Sequence, residues 1–124
     1  MELSKPDVAP VPGPPPHELV ITDITVGEGA EAKSGQTVIV HYVGVQHSDG
    51  SEFDSSWSRN EPFRFPLGDG RVIAGWDQGV AGMRVGGRRQ LTIPSALAYG
   101  ARGAGGVIEP HEPLVFVVDL IAVD

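Results

Sequence analysis

A chain of 124 residues with about 40% hydrophobic content has material for one core and a short tail, and no apolar run approaches the roughly 20 residues of a membrane-spanning helix. A formal charge of −7 argues against a nucleic-acid partner, which calls for a basic face, and the lack of cysteine excludes disulfides and thiolate metal sites. What is left is a soluble domain, expected to be monomeric, with no membrane partner.

The N-terminal stretch "MELSKPDVAPVPGPPP" holds six of the eleven prolines. Proline lacks an amide donor and fixes φ, so residues 1–17 are expected to form a flexible, extended tail outside the core. The stretch has no apolar segment of the secretory kind, so a cytoplasmic location is expected. The folded domain is read as 18–124. "ELVITDITVG" (18–27) reads as one or two short strands, with Gly27 and Gly29 marking a turn or bulge. "QTVIVHYVGVQ" (36–46) is the clearest strand: Val38, Val40 and Tyr42 share one face at period two, and Ile39, His41 and Val43 share the other. "SDGS" (48–51) reads as a hairpin turn into "EFDSS". "PFRFPL" turns Phe63, Phe65 and Leu67 to one side; "RRQLTI" turns Leu91 and Ile93; "PLVFVVDLIAV" turns Leu114, Phe116, Val118 and Leu120. Only "AGWDQGVAGM" can be a helix, of two turns or so, with Asp77 placed to complement its dipole. The expected fold class is α+β: an antiparallel sheet wrapped across one short helix.

Tyr42, Phe63, Phe65 and Phe116 lie on inward strand faces, and Trp76 is on the helix, so much of the aromatic surface converges there. A packed core is the plain reading. Against it, Tyr42 and Tyr99 carry hydroxyls that need partners when buried, and two glycine-rich loops, "LGDGRVIAG" and "YGARGAGGVIEPH", lie in the same chain. Trp76 is therefore a core plug or the floor of a cavity.

In order along residues 18–124, "GQTVIVHYVG", "FDSSWSRNEPFRFPLG", "VIAGWDQGVAGMRVGGRR", "LTIPSALAYGARG" and "VIEPHEPLVFVVDL" resemble the FKBP-type peptidyl-prolyl cis-trans isomerases. The resemblance implies a five- to six-stranded antiparallel half-barrel around one short helix. It also implies isomerisation of X-Pro bonds in proline-containing peptides and unfolded proteins, with no cofactor. Tacrolimus- or rapamycin-type macrolides would bind in the same pocket. By motif position the pocket would be built from Tyr42, Phe53, Asp54, Phe63, Val72, Ile73, Trp76, Tyr99, Val107, Ile108 and Phe116, with Arg59 pairing with Asp54. The Ile73 N–H and the Tyr99 hydroxyl would hold peptide carbonyls. Tyr42 and Phe116 would be wall, and Asp54 a buried acid that either orders the Tyr42 wall or acts on the twisted carbonyl.

One departure is the tip "ARGAGG", with three glycines and two alanines where relatives often carry a histidine or bulkier residue at the position of Ala104 and a proline near Gly105 or Gly106. It leaves substrate preference open. "GARGAGG" lacks the Gly-Lys-Ser/Thr of a phosphate loop. His17, His41, His47 and His111 have no metal spacing and read as surface residues. "RVGGRR", with Arg84, Arg88 and Arg89, reads as a solvated turn. "SDGSEFD" lacks calcium-loop order. The tail's X-Pro bonds could dock in such a pocket, although a solvated spacer is the plain alternative. A rival to the enzyme is a low-turnover module that docks proline motifs in the same place.

Overall fold

The computed structural model describes residues 4–9, 11–105 and 107–124. Gly106, named in the sequence reading, lies outside them, as does Pro10 of the proline-rich stretch. Six strands form one antiparallel sheet: β1 (Val20–Thr25), β2 (Thr37–Gln46), β3 (Glu52–Ser55), β4 (Phe63–Pro66), β5 (Arg88–Ile93) and β6 (Leu114–Val123). The order is β1-β5-β6-β2-β3, and β4 also pairs with β2. Two short strands thus share one edge of β2. β4 takes its first half, Thr37 to Val40, and β3 takes Val43 to Val45. Register shifts at Ile39/Val40 and Gly44/Val45 bend the strand between them. The sheet curls as a result, and its concave side takes the helix α1 (Ala74–Gly79).

The period-two reading of the strands holds. Val38, Val40 and Tyr42 of β2, Leu91 and Ile93 of β5, and Leu114, Phe116, Val118 and Leu120 of β6 are all buried in the main core with Trp76, Val80 and Met83.

The helix is shorter than expected, six residues. Its composition is explained by what it touches. Gly75 and Gly79 are one turn apart and face β5. A Cβ on Gly75 would lie 2.6 Å from Ile93 Cγ2, and one on Gly79 2.6 Å from Leu91 Cδ2. Both neighbours are fully buried, so they have little room to yield. Glycine here trades helix propensity for close helix–sheet contact. We expect Gly79→Ala to lower stability by about 1–2 kcal/mol. Against a fully buried Leu91, overpacking in the upper part of its range, about 2–3 kcal/mol, outweighs the roughly 1 kcal/mol gained in propensity. Urea unfolding checks this; a more stable variant would contradict it.

Asp77 lies in the first turn of the helix as expected, and its carboxylate also accepts the N–H groups of Gly68 (2.8 Å) and Gly70 (3.0 Å), which pins the loop from β4. Other expectations are corrected. "RVGGRR" is not a free solvated turn. Arg88 donates to buried Asp119 at 2.7 and 3.2 Å, and Arg89 reaches Asp23 (2.7 Å) and the Gly79 carbonyl (2.9 Å) at the helix end. Two single 3-10 turns, Ser95–Leu97 and Gly100–Arg102, lie where no helical pattern is visible.

The described residues of the N-terminal tail form no helix or strand, yet they do not stand apart from the domain. Val8 and Val11 pack with Trp57 on Val43, Val45 and Val115, a small cluster on the convex side of the sheet. Lys5 pairs with Glu52 at 2.9 Å, and Arg88 donates to the Ser4 carbonyl at 2.8 Å. Two valines among the prolines supply the apolar contact that composition alone did not suggest.

Candidate active site

The concave face is not filled to its rim. A cavity of about 200 Å³ opens between the helix, β2, β6 and the loops. Trp76 is its floor, projecting from the start of α1. Around it stand Tyr42 at 4.9 Å between ring centroids and 79°, Phe116 at 5.3 Å and 84°, and Phe63 at 5.9 Å and 67°. Edge-to-face packing of this kind holds rings rigidly. Phe53 closes the side against Phe116 at 5.6 Å. That contact needs Gly44, where a Cβ would lie 2.6 Å from Phe116 and 2.7 Å from Phe53. Val72, Ile73, Asp54 and Tyr99 complete the lining. The Trp76 indole is 4% exposed and its Nε1 is shut off from solvent, so the floor offers ring surface and no donor. It is at once the plug of the core below and the floor of the cavity above.

Polar groups sit on one wall. The Tyr42 hydroxyl donates to Asp54 Oδ2 at 2.6 Å; Arg59 Nη1 meets Asp54 Oδ1 at 2.6 Å, and Arg59 Nη2 donates to the Tyr42 oxygen at 2.8 Å. The Ser55 N–H also donates to Asp54 Oδ1. Burial works to raise the Asp54 pKa, but hydrogen bonds from Tyr42 and Arg59, with the guanidinium charge, outweigh it and hold the carboxyl below its ordinary value. Burial first, and then the bond to Asp54, pushes the Tyr42 phenol up to about 12. Arg59, bonded to Tyr42 and Asp54, is held above its ordinary value. At neutral pH the triad is carboxylate, phenol and guanidinium. Across the cavity, burial and the Asp54 charge raise the Tyr99 phenol, which keeps its O–H as a donor. No acceptor for the Ile73 N–H occurs among the described residues.

Arg59 pairs with Asp54 as expected and also donates to the Tyr42 oxygen, but it is not part of the cavity lining. Two further expected lining residues, Ile108 and Val107, are placed elsewhere. Ile108 is buried in the main core and borders a separate groove, not this cavity. Val107, 53% exposed, lines a separate groove with Gln46 and Arg102. The short bridge of Ala104 with Ile108 folds this loop back on itself and carries Val107 off the pocket. Asp54 is not the buried acid of the chain; its side chain is 41% exposed, whereas Asp119 and Glu112 are buried. Their partners, Arg88 for Asp119 and Ser48 for Glu112, lie far away in sequence, which hid them.

Residues 28–121 match the family model described as FKBP-type peptidyl-prolyl cis-trans isomerase. The chain belongs to the FKBP-type peptidyl-prolyl cis-trans isomerases. An FK506-binding protein of Streptomyces anulatus is 60% identical over 99% of this chain and all of its own. The peptidyl-prolyl cis-trans isomerase FPR2 of Saccharomyces cerevisiae is 58% identical over 75% of this chain and 69% of its own. The crystal structure of AtFKBP13 superposes with a TM-score of 0.79 at 44% identity, covering 86% of this chain and 93% of that one. The expected FKBP fold, a curled antiparallel sheet with one short helix, and the enzyme class are thus borne out.

Proposed function

We propose that the cavity over Trp76 is where this FKBP-type isomerase binds the proline ring of an X-Pro segment and turns its peptide bond. The carrying observation is a rigid aromatic box, about 200 Å³ in volume, with polar groups confined to its rim and one wall. That size takes one ring; the rest of a ligand lies across the rim.

The chemistry needs no nucleophile. Amide resonance sets a barrier of ~18–20 kcal/mol, and uncatalysed X-Pro exchange takes tens to hundreds of seconds. Turnover in milliseconds requires a reduction of about 7 kcal/mol. In the twisted transition state resonance is lost and the carbonyl oxygen is less negative. An environment with little water favours that state over the well-solvated planar amide. Trp76, Tyr42, Phe63 and Phe116 supply the apolar surface. The Ile73 N–H and the Tyr99 O–H are free to hold carbonyls on either side of the proline. Asp54, with both oxygens engaged, orders the Tyr42 wall and sets the field beside the bond.

Two relatives named for FK506 binding support a second expectation, that tacrolimus- or rapamycin-type macrolides compete for the same cavity. We place the protein's work in the folding of proline-containing chains, as a cytoplasmic monomer. The test is exchange spectroscopy on a short X-Pro peptide, with and without rapamycin. Catalysed exchange that rapamycin suppresses is the expected result. Saturable binding without faster exchange would instead favour a docking module.

A further inference from the structure

We propose that His41, on the face of the sheet opposite the pocket, is a positioning residue that sets Arg59, and through it the Asp54–Tyr42 wall. This rests on the pocket reading given under Proposed function.

His41 precedes Tyr42 on β2, so alternation sends the imidazole to the convex side and the phenol to the pocket. The imidazole stacks on Trp57 with centroids 4.1 Å apart and planes at 17°. Its Nδ1 lies 2.8 Å from Ser56 Oγ. Ser56 is fully buried, and its hydroxyl accepts the Tyr42 N–H at 2.7 Å. The Ser56 carbonyl accepts the N–H groups of Arg59 (3.2 Å) and Glu61 (3.3 Å), so the turn that carries Arg59 is folded about this residue. Arg59 then reaches back to Asp54 and Tyr42. The path from imidazole to guanidinium is thus continuous: a hydrogen bond to the Ser56 hydroxyl, the Ser56 residue itself, and a hydrogen bond from its carbonyl to the Arg59 N–H.

Counting protons gives the direction. The Ser56 hydroxyl has one hydrogen to give, and its choices are His41 Nδ1 at 2.8 Å and the Tyr42 carbonyl at 3.4 Å. Burial favours the neutral imidazole, and donation of the hydroxyl hydrogen to the nearer acceptor then puts the ring proton on Nε2. Protonation at Nδ1 would make His41 a donor and force the hydroxyl hydrogen to the poorer acceptor. Among charged groups on the neighbouring strands, Asp119 is the cross-strand partner of His41 on β6 and favours the imidazolium, but Arg88 of β5 already holds both its oxygens. Lys5 of the tail is engaged by Glu52 of β3. Burial dominates and lowers the His41 pKa from its ordinary 6.5. A base depressed in the folded state favours folding when neutral. That contribution is present above pH 6.5 and is lost as pH falls toward the folded value.

The experiment is kcat/KM by peptide exchange spectroscopy between pH 5 and 8, with melting temperature measured on each variant. His41→Phe keeps the stacked ring and loses the acceptor; we expect about a fivefold fall in kcat/KM, the size of one ordinary hydrogen bond. His41→Asn places an amide oxygen near Nδ1 and should restore the rate, without the decline at acid pH expected of the unmodified protein. In an Arg59→Ala background, His41→Phe should cost nothing further. The proposal is overturned if His41→Phe matches the unmodified protein, or costs as much in the Arg59→Ala background. Should His41→Phe not fold, identical pH profiles for the unmodified protein and His41→Asn overturn it. A normal rate for Arg59→Ala alone also overturns it, because Arg59 is the residue His41 is argued to set; absence of catalysed, rapamycin-sensitive exchange by the unmodified protein would instead count against the pocket reading.

Discussion

Trp76→Leu is expected to weaken proline-peptide binding at least tenfold while the protein still folds. The indole contacts Tyr42, Phe63, Phe65 and Phe116, and no other side chain can present one flat surface to all of them and to the cavity. Full truncation of a buried tryptophan costs about 3–5 kcal/mol. Leucine refills part of the space, so the loss should be about 2–3 kcal/mol, within the ~5–15 kcal/mol of an ordinary domain. A tenfold loss of affinity corresponds to about 1.4 kcal/mol. Calorimetric titration of a short X-Pro peptide, with urea unfolding in parallel, separates the two roles. Lower stability with unchanged affinity would make Trp76 a plug alone.

Asp54→Val should do the opposite, lowering kcat/KM by roughly ten- to a hundredfold with a small change in stability. Its carboxylate is 41% exposed and paired with a guanidinium that is 48% exposed, and such surface pairs contribute little. What the substitution removes is the acceptor for the Tyr42 O–H, for Arg59 and for the Ser55 N–H at one stroke. The pocket wall then has a phenol free to turn. Tyr42→Phe is the companion: if the carboxylate works by ordering that wall, the two variants lose rate by similar factors. If Asp54→Val alone is slow, the charge itself acts on the bond. Titration adds a sign. The Asp54 pKa is depressed, so its contribution to stability is present above the ordinary carboxylate value of about 3.8 and is lost as pH falls through the depressed one. Acid unfolding of Asp54→Asn should lack that component, and an unchanged acid limb would contradict it.

The sheet is readable because its signals are local: alternation in "VIVHYVGV" fixes which side of β2 meets the core. The pocket residues come instead from the family resemblance that five ordered motifs carry. What was missed depends on partners far apart in the chain. Arg88 and Asp119 are 31 residues apart, and neither residue's neighbourhood announces the pair. Val8 and Val11 read as spacer among prolines, yet the convex side of β2 and β6 exposes Val43, Val45 and Val115 to receive them. His41 looked like a surface residue because period two puts it outward; the turn bearing Ser56 and Trp57 folds over that side and covers it. Motif position puts Val107 in the pocket, but the backbone bridge of Ala104 with Ile108 turns it away. Even the glycines of the helix were legible only as weakness, until Leu91 and Ile93 showed what they make room for.

The two tryptophans lie on opposite sides of the sheet, Trp76 beneath the pocket and Trp57 on the convex face, and so form an internal control. The decisive measurement is an NMR titration of the unmodified protein with a short X-Pro peptide, following both indole N–H resonances and the peptide's cis–trans exchange peaks. The account predicts that the Trp76 signal shifts and saturates as exchange accelerates, while the Trp57 signal stays in place. Accelerated exchange with a moving Trp57 and a still Trp76 would put the catalytic site on the other face.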